Sequence, residues 1–270
     1  MTNNYVVYHL HTMDSLLDSA TSYQEYIDYA VSLGQKAICF TEHGNVYNWY
    51  KKYEYCKKNG IKFLYGIECY MTETFDENIR DNYHTILIAK NFDGFVEMNQ
   101  LISRTTQRDH TYYKPRISFE EFLNISDNVI KISACLASPL WKFLNKIAEL
   151  KQNGEDTTAK EEMYHRLAQH YDYYEIQYHD GEQCAYNKWL WDLSEKFNKP
   201  LIAATDTHSL NKYKAECRIM LKYGKTDGDW GDGENQYDLT YKSYEQLVNA
   251  FDEQGSLPRD VYMKAIEETN

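Results

Sequence analysis

The chain has 270 residues, 43% of them apolar, and a formal net charge of −12. That length buries a sizeable core as one large domain or two small ones. No apolar run reaches the roughly 18–20 residues needed to span a bilayer, and the acidic balance excludes a protein that coats nucleic acid by charge alone. The six cysteines, at positions 39, 56, 69, 135, 184 and 217, form no CxxC pair and no disulfide-like cluster. Met1-Thr2-Asn3-Asn4 has neither a basic region nor a signal-peptide core, so a cytoplasmic protein with no membrane association is expected.

Taken in order, Tyr5-Val6-Val7-Tyr8 reads as a buried strand closed by His9-Leu10-His11, whose alternate spacing puts two imidazoles on one face. Ser22-Tyr23-Gln24-Glu25 has capping-box form, with Tyr26, Ile27, Ala30 and Leu33 at helical spacing behind it and Gly34 as the stop. A short strand over 36–41 ends at Glu42-His43-Gly44-Asn45, a helix follows over 46–58, and a strand over 61–71 carries Glu68. His84 opens another buried strand, and a helix is expected over 92–104. The stretch 104–116 sets Arg104, Arg108, Lys114 and Arg116 against a single acid, Asp109, with Tyr112 and Tyr113 among them. A second capping box starts at Ser118, and a strand over 129–133 leads to Cys135. Helices over 138–151 and 156–170 precede a strand over 173–177 that ends at His179-Asp180-Gly181. After a helix over 183–197, the last strand, 200–205, runs into Asp206-Thr207-His208. A Gly/Asp-rich loop over 224–238 is expected to be mobile, and Ser243 caps a final helix.

Alternating strands and helices predict an α/β protein with a parallel sheet. Ligands of such folds gather at the C-terminal strand ends, where this chain puts His, Asp, Glu and Cys. So many ionisable groups at strand ends are costly without a partner ion. Imidazoles with one thiolate favour zinc, iron or manganese over magnesium. The basic and aromatic mix of 104–116 has the composition of a strand-binding rim, and His179 ends a strand on the ligand side, in reach of a substrate. His110, His165 and His170 read as solvated surface residues. Cys135 alone would read as a core thiol.

Several stretches carry a family likeness: His9-Leu10-His11-Thr12, Leu16-Leu17-Asp18-Ser19-Ala20, Thr41-Glu42-His43-Gly44-Asn45, Gly66-Ile67-Glu68-Cys69-Tyr70, Tyr83-His84, Ala89-Lys90-Asn91, Tyr113-Lys114-Pro115-Arg116-Ile117, Cys135-Leu136 and Asp206-Thr207-His208. In these the chain resembles the PHP (polymerase and histidinol phosphatase) domains, in particular the kind found at the N-terminus of bacterial DNA polymerase III alpha subunits. The resemblance implies a distorted seven-stranded (β/α) barrel over 1–223, with a loop-and-helix extension over 224–270 packed on the same domain. It implies two or three divalent ions, zinc, manganese or iron, held by His9, His11, Asp18, His43, Glu68, His84, Cys135, Asp206 and His208. Glu42 stands where Asp is usual and is expected to support His43 from behind. Asp14 stands where an aromatic residue is frequent and competes with Asp18 for the ligand position. The activity implied is that of a metal-dependent phosphoesterase, a 3′–5′ exonuclease on a single-stranded DNA or RNA end, with polymerase subunits as partners. By their own composition and placement, Arg104, Arg108, Lys114, Arg116 and His179 are expected to touch that strand. The rival readings are a small-molecule phosphatase for histidinol phosphate or nucleotides, and a non-catalytic module of a polymerase.

Overall fold

The computed structural model describes residues 5–76, 79–225 and 237–270. The segment 5–11 is buried throughout. Among the described residues its β-bridges are single and parallel, Val7 to Ile38 and Leu10 to Thr207, so the expected first strand is an extended segment without a ladder. Helix α1 (Tyr23–Ser32) opens on the Ser22–Glu25 capping box. Strand β1 (Ala37–Phe40), helix α2 (Trp49–Lys58) and strand β2 (Lys62–Thr72) follow, with β1 and β2 parallel, as a helical crossover requires.

The expected parallel sheet does not continue. Among the described residues no helix separates β2 from β3 (Tyr83–Ala89), and the two strands pair antiparallel. Helix α3 (Phe92–Thr105) leads to a small hairpin, β4 (Thr111–Tyr112) and β5 (Lys114–Ser118), turning on Tyr113 at φ 58°. Strand β5 lies parallel to the end of β2, with Arg116 opposite Tyr70. Helix α4 (Phe119–Leu123) carries the second capping box, and β6 (Val129–Ile132) pairs antiparallel with β3. The result is a six-stranded sheet with β4, β5, β2, β3 and β6 in that order and β1 on the flank of β2.

A π-helical turn, Pro139–Phe143, runs into α5 (Leu144–Gln152) and then α6 (Thr158–His170). Strands β7 (Tyr174–Gln177) and β8 (Leu201–Ala204), joined through α7 (Glu182–Phe197), form a separate two-stranded parallel sheet. The expected seven-stranded barrel is thus not formed by continuous ladders. Among the described residues the two sheets are joined by isolated bridges, directly at Ile132 to Tyr173 and, on the other side, through segment 5–11, which bridges to Ile38 by Val7 and to Thr207 by Leu10. The physical cause lies at the strand ends: β6 and β8 are four residues each, and left-handed Ala134 (φ 63°) and Asp206 (φ 45°) turn the chain out of the ladder just beyond them.

Helices α8 (Lys212–Lys225), α9 (Tyr244–Gln254) and α10 (Arg259–Glu267) complete the chain; of these only α9 was legible, from its Ser243 cap. Most of the loop expected over 224–238 lies outside the described residues. Tyr241, Leu247, Phe251, Tyr262 and Ile266 share one apolar cluster with Tyr5, Ile38, Ile67, Leu87 and Tyr174. Among the described residues no helix is long and apolar enough to cross a membrane.

Candidate metal centre

The residues expected to bind metal come from seven separate places in the chain and converge on one cavity of about 350 Å³, lined by His43, Glu68, His84, Cys135, Asp206 and His208 among others. Among the described residues three donor groups stand close enough to share a cation: His9, His11 and Asp206; His11, His43 and His208; Glu68, His84 and Cys135. Glu68 is central. Its carboxylate lies 2.5 Å from His43 Nδ1, 2.9 Å from His84 Nδ1 and 3.3 Å from His9 Nε2. Asp18 reaches His43 Nε2 at 2.9 Å and His208 Nε2 at 3.4 Å. Cys135 Sγ is 3.7 Å from His84 Nδ1.

The hydrogen bonds behind these residues fix which ring nitrogens face inward. His9 Nδ1 lies 2.8 Å from the Glu175 carboxylate. A carboxylate accepts only, so Nδ1 carries a proton and Nε2 faces the centre; burial lowers the pKa of this ring, but Asp206 and Glu175 outweigh it and raise it well above the usual imidazole range, so that without a cation Nε2 is protonated as well. Glu175 is also bonded by Tyr8 Oη and Gln177 Nε2, at 3.0 and 2.8 Å. His208 Nδ1 donates to the Asp206 carbonyl at 2.9 Å, which leaves its Nε2 inward in the same way. His11 is oriented by Ser15. Its hydroxyl donates to Glu42 Oε2 at 2.6 Å and accepts the His43 backbone N–H at 3.1 Å. The contact of Ser15 Oγ with His11 Nδ1, 3.1 Å, therefore has nitrogen as donor, again with Nε2 free.

Glu42 differs from expectation. It does not touch the His43 ring; its carboxylate takes Thr12, Ser15 and Lys52 Nζ, the last at 2.6 Å. Its influence on the centre passes through Ser15 to His11. Asp14 does not compete with Asp18: it pairs with Lys52 Nζ at 3.0 Å and accepts from Asn48 at 2.8 Å. The four-residue separation carries the two acids to opposite partners, because the left-handed Leu17 (φ 62°) redirects the chain just before Asp18.

A cation fits this arrangement on an observation of the protein itself. Among the described residues, His9 Nε2, His11 Nε2 and Asp206 Oδ1 are buried with no hydrogen-bond partner, although the Asp206 oxygen lies 3.0 and 3.5 Å from the two nitrogens. Orphaned polar atoms of this kind are rare in folded interiors. In the absence of a cation, protons balance the charge. Burial pushes the Glu68 carboxyl up, yet His84 and His43 outweigh it and hold it well below the usual carboxylate range. Asp206 is held down likewise by His9 and His208. Burial lowers His43, but Glu68 and Asp18 raise it to about 10. His11, by contrast, is lowered by burial and by the neighbouring His43 and His208, and stays neutral. Burial, with Asp206 and Glu68, keeps the Cys135 thiol protonated. A cation entering here displaces protons.

Sequence reasoning missed Glu175, Arg218 and Lys222. Glu175 left a signal, an acid in the middle of a wholly buried strand. Arg218 left none: it sits on α8, donates to Asp18 Oδ1 at 2.7 Å through Nη2 and to the Asp18 carbonyl at 2.8 Å through Nε. Lys222 Nζ approaches the same oxygen at 3.5 Å.

The expected strand-binding residues are dispersed. Arg104 and Arg108 are exposed. Lys114 is half-buried, with Nζ 3.2 Å from Tyr70 Oη, and the Tyr70 ring packs 5.2 Å from His84 and 6.1 Å from His43. Gly44 (φ 64°) locks this side of the site, since an added Cβ would lie 2.9 Å from the Pro115 ring. Arg116 is buried at 1% exposure and its guanidinium donates to the Ile79 and Asp81 carbonyls. It braces the hairpin and offers nothing to a strand, because β5 points it under the sheet edge opposite Tyr70. His179 lines the cavity. His165 is exposed, whereas His110 and His170 are half-buried, His110 between Asp109 and Glu121.

Fold and site together define a mixed α/β protein that gathers imidazole, carboxylate and thiol donors into one buried centre. The chain belongs to the PHP domain family, which matches residues 8–179. It is similar to the DNA polymerase III subunit alpha of Aquifex aeolicus, 32% identical over an alignment of 241 residues, with 84% of this chain and 20% of that one covered. The corresponding subunit of Borreliella burgdorferi is 30% identical over an alignment of 226 residues, with 81% of this chain and 19% of that one covered. The chain thus spans about a fifth of the length of these curated relatives. Among solved structures, histidinol phosphate phosphatase of Lactococcus lactis, complexed with zinc, L-histidinol and phosphate, gives a TM-score of 0.37 at 14% identity, covering 80% of this chain and 92% of that one.

Proposed function

We propose that this chain is a metal-dependent phosphoesterase that acts on a single-stranded nucleic-acid end, a 3′–5′ exonuclease in type, in the cytoplasm and beside DNA polymerase subunits. The observation that carries the reading is the trio of buried, unpartnered donor atoms on His9, His11 and Asp206. Two or three divalent ions, zinc, manganese or iron, would be held by this trio with Asp18, His43, Glu68, His84, Cys135 and His208. Such ions supply positive charge to a phosphoryl oxygen and lower the pKa of a water for in-line attack. The single bridges between the two sheets support reading segment 5–11, β1, β2, β3, β6, β7 and β8 as one distorted seven-membered ring around the centre, with 237–270 as an extension sharing its core.

The chain's own residues divide the remaining work. Glu175 and Ser15 hold His9 and His11 with Nε2 inward. Arg218 and Lys222 fix one oxygen of Asp18 and leave the other toward His43 and His208. Lys114, resting on Tyr70, and the exposed Arg104 and Arg108 meet the phosphates of an arriving strand. The likeness to polymerase subunits supports a strand end over a small phosphate ester as the substrate.

The test is hydrolysis of a labelled single-stranded oligonucleotide and of a small chromogenic phosphate, each with manganese or zinc and again with chelator. Activity that chelator abolishes is expected on both. Replacing Arg108 and Lys114 together by serine should lower oligonucleotide cleavage relative to the small ester and flatten its salt dependence. No turnover with any divalent metal in a folded sample would rule the enzyme out. Equal loss on both substrates would assign the basic residues to the fold.

A further inference from the structure

Beside the metal cavity lies a second one, of about 590 Å³, that the reading above leaves unused. His179, Glu182 and Tyr237 line both, so the two spaces share a wall. That wall is aromatic. The His179 ring lies 4.5 Å from the Tyr178 ring and 4.9 Å from the Tyr237 ring. His179 is 6% exposed, and its Nε2 is buried with no hydrogen-bond partner among the described residues. Burial lowers its pKa to about 4, so near neutral pH the ring is uncharged and offers a flat face with one unsatisfied polar edge.

The charge around this space is negative. Among the described residues Asp180, Glu182, Asp238 and Glu253 line it, and the one lysine there, Lys242, is held by Asp238 at 2.8 Å. A phosphate is repelled there. The part of a ligand that enters must carry no negative charge, present a planar face to the rings and reach back to a phosphate in the metal cavity. A protonated amine would suit the carboxylates, but two of the four are already engaged: Glu182 accepts from Trp141 Nε1 at 2.6 Å, and Asp238 takes Lys242 and Thr240. The ring wall and the orphaned imidazole nitrogen favour a heterocycle.

We propose that this second cavity seats the terminal nucleoside of the strand, with its base against His179 and Tyr237 while the adjoining phosphate lies among the metal-binding residues. The proposal rests on the phosphoesterase reading and names the part of the substrate that is recognised.

The test needs neither metal nor turnover. Thymidine, which is uncharged, is titrated into the metal-free full chain and followed by NMR of the histidine and tyrosine rings. Saturable shifts confined to His179, Tyr178 and Tyr237 are expected, with a Kd in the range of ~1 mM. Ala250→Trp, which fills the cavity from α9, should weaken that affinity by about tenfold or more. The spectrum itself reports whether the variant has folded, and Tyr237→Ala repeats the test at a half-buried position. Three outcomes overturn the proposal: no shifts up to ~10 mM thymidine, which lies above the ~1 mM affinity expected; an affinity unchanged in folded variants; or binding of ethanolamine without binding of thymidine. A protein that binds thymidine but hydrolyses nothing keeps the cavity and loses the enzyme. One that hydrolyses small esters and ignores thymidine does the reverse.

Discussion

Glu175→Gln separates the charge behind His9 from the hydrogen bonds that hold it. In the native protein Glu175 Oε1 accepts from His9 Nδ1 and Gln177 Nε2, each at 2.8 Å, and Oε2 accepts from Tyr8 Oη at 3.0 Å. A glutamine amide reproduces this pattern: its oxygen takes the two nitrogen donors, and its NH2 donates to Tyr8 Oη, which turns acceptor. The fold is therefore preserved, and what disappears is the negative charge that makes the imidazole a strong donor. Loss of such a partner weakens metal affinity by roughly 10- to 100-fold, about 1.4–2.7 kcal/mol. Glu175→Ala provides the contrast. It strands three buried donors at about 1–3 kcal/mol each and should lower the melting temperature outright. The assay is competition for zinc against a chromophoric chelator, with a thermal melt of each metal-free variant. Zinc affinity within twofold of wild type in Glu175→Gln, at an unchanged melting temperature, would refute both the inward orientation of His9 Nε2 and its place in the centre.

Four further outcomes are expected. Saturating zinc or manganese at hundredfold excess over Kd stabilises the fold by about 2.7 kcal/mol, and chelator reverses this in a thermal melt; a melt indifferent to metal would dismiss the donor set. His9→Ala and Asp206→Ala each cut phosphoester hydrolysis by orders of magnitude, because each removes a buried donor that the others cannot replace; near-normal rates in both would dismiss the assignment. Arg218→Gln breaks a buried pair with Asp18, costs about 3 kcal/mol in denaturant titration and weakens metal binding; wild-type values for both would remove Arg218 from the site's support. His179 is buried with its pKa lowered to about 4, so the unfolded chain takes up a proton as pH falls below about 6.5 and the folded chain does not until about 4. Its contribution, up to ~3 kcal/mol, is therefore present above pH 6.5 and lost between there and 4. His179→Gln should flatten stability against pH over that window, and an unaltered slope would contradict the burial.

What could be read without coordinates follows from where the chemistry sits in the chain. His9, His43, Cys135, Asp206 and His208 stand at the ends of short apolar runs, and a polar group in that position shows in one dimension. Capping boxes at Ser22, Ser118 and Ser243 are equally local. The antiparallel course of β3 was hidden, since a buried strand reads the same in either direction and only the missing crossover helix before it gave a clue. Arg218 was hidden for a different reason: its meaning depends on Asp18, 200 residues earlier. Arg116 misled because its residue type advertises a phosphate contact, whereas its register opposite Tyr70 buries it.

Segment 9–11 and residue 207 exchange backbone hydrogen bonds, His11 N to Thr207 O at 2.8 Å and Thr207 N to His9 O at 3.0 Å, and the Ser19 hydroxyl reaches the His208 carbonyl 189 residues away. The first histidines therefore leave the ribosome long before the residues that complete their surroundings. At roughly 5–20 residues per second, that wait lasts on the order of ten to forty seconds. Throughout it, His9 and His11 belong to a nascent chain without a finished centre, and a message truncated between residues 11 and 206 produces a fragment with the opening motif and an incomplete donor set.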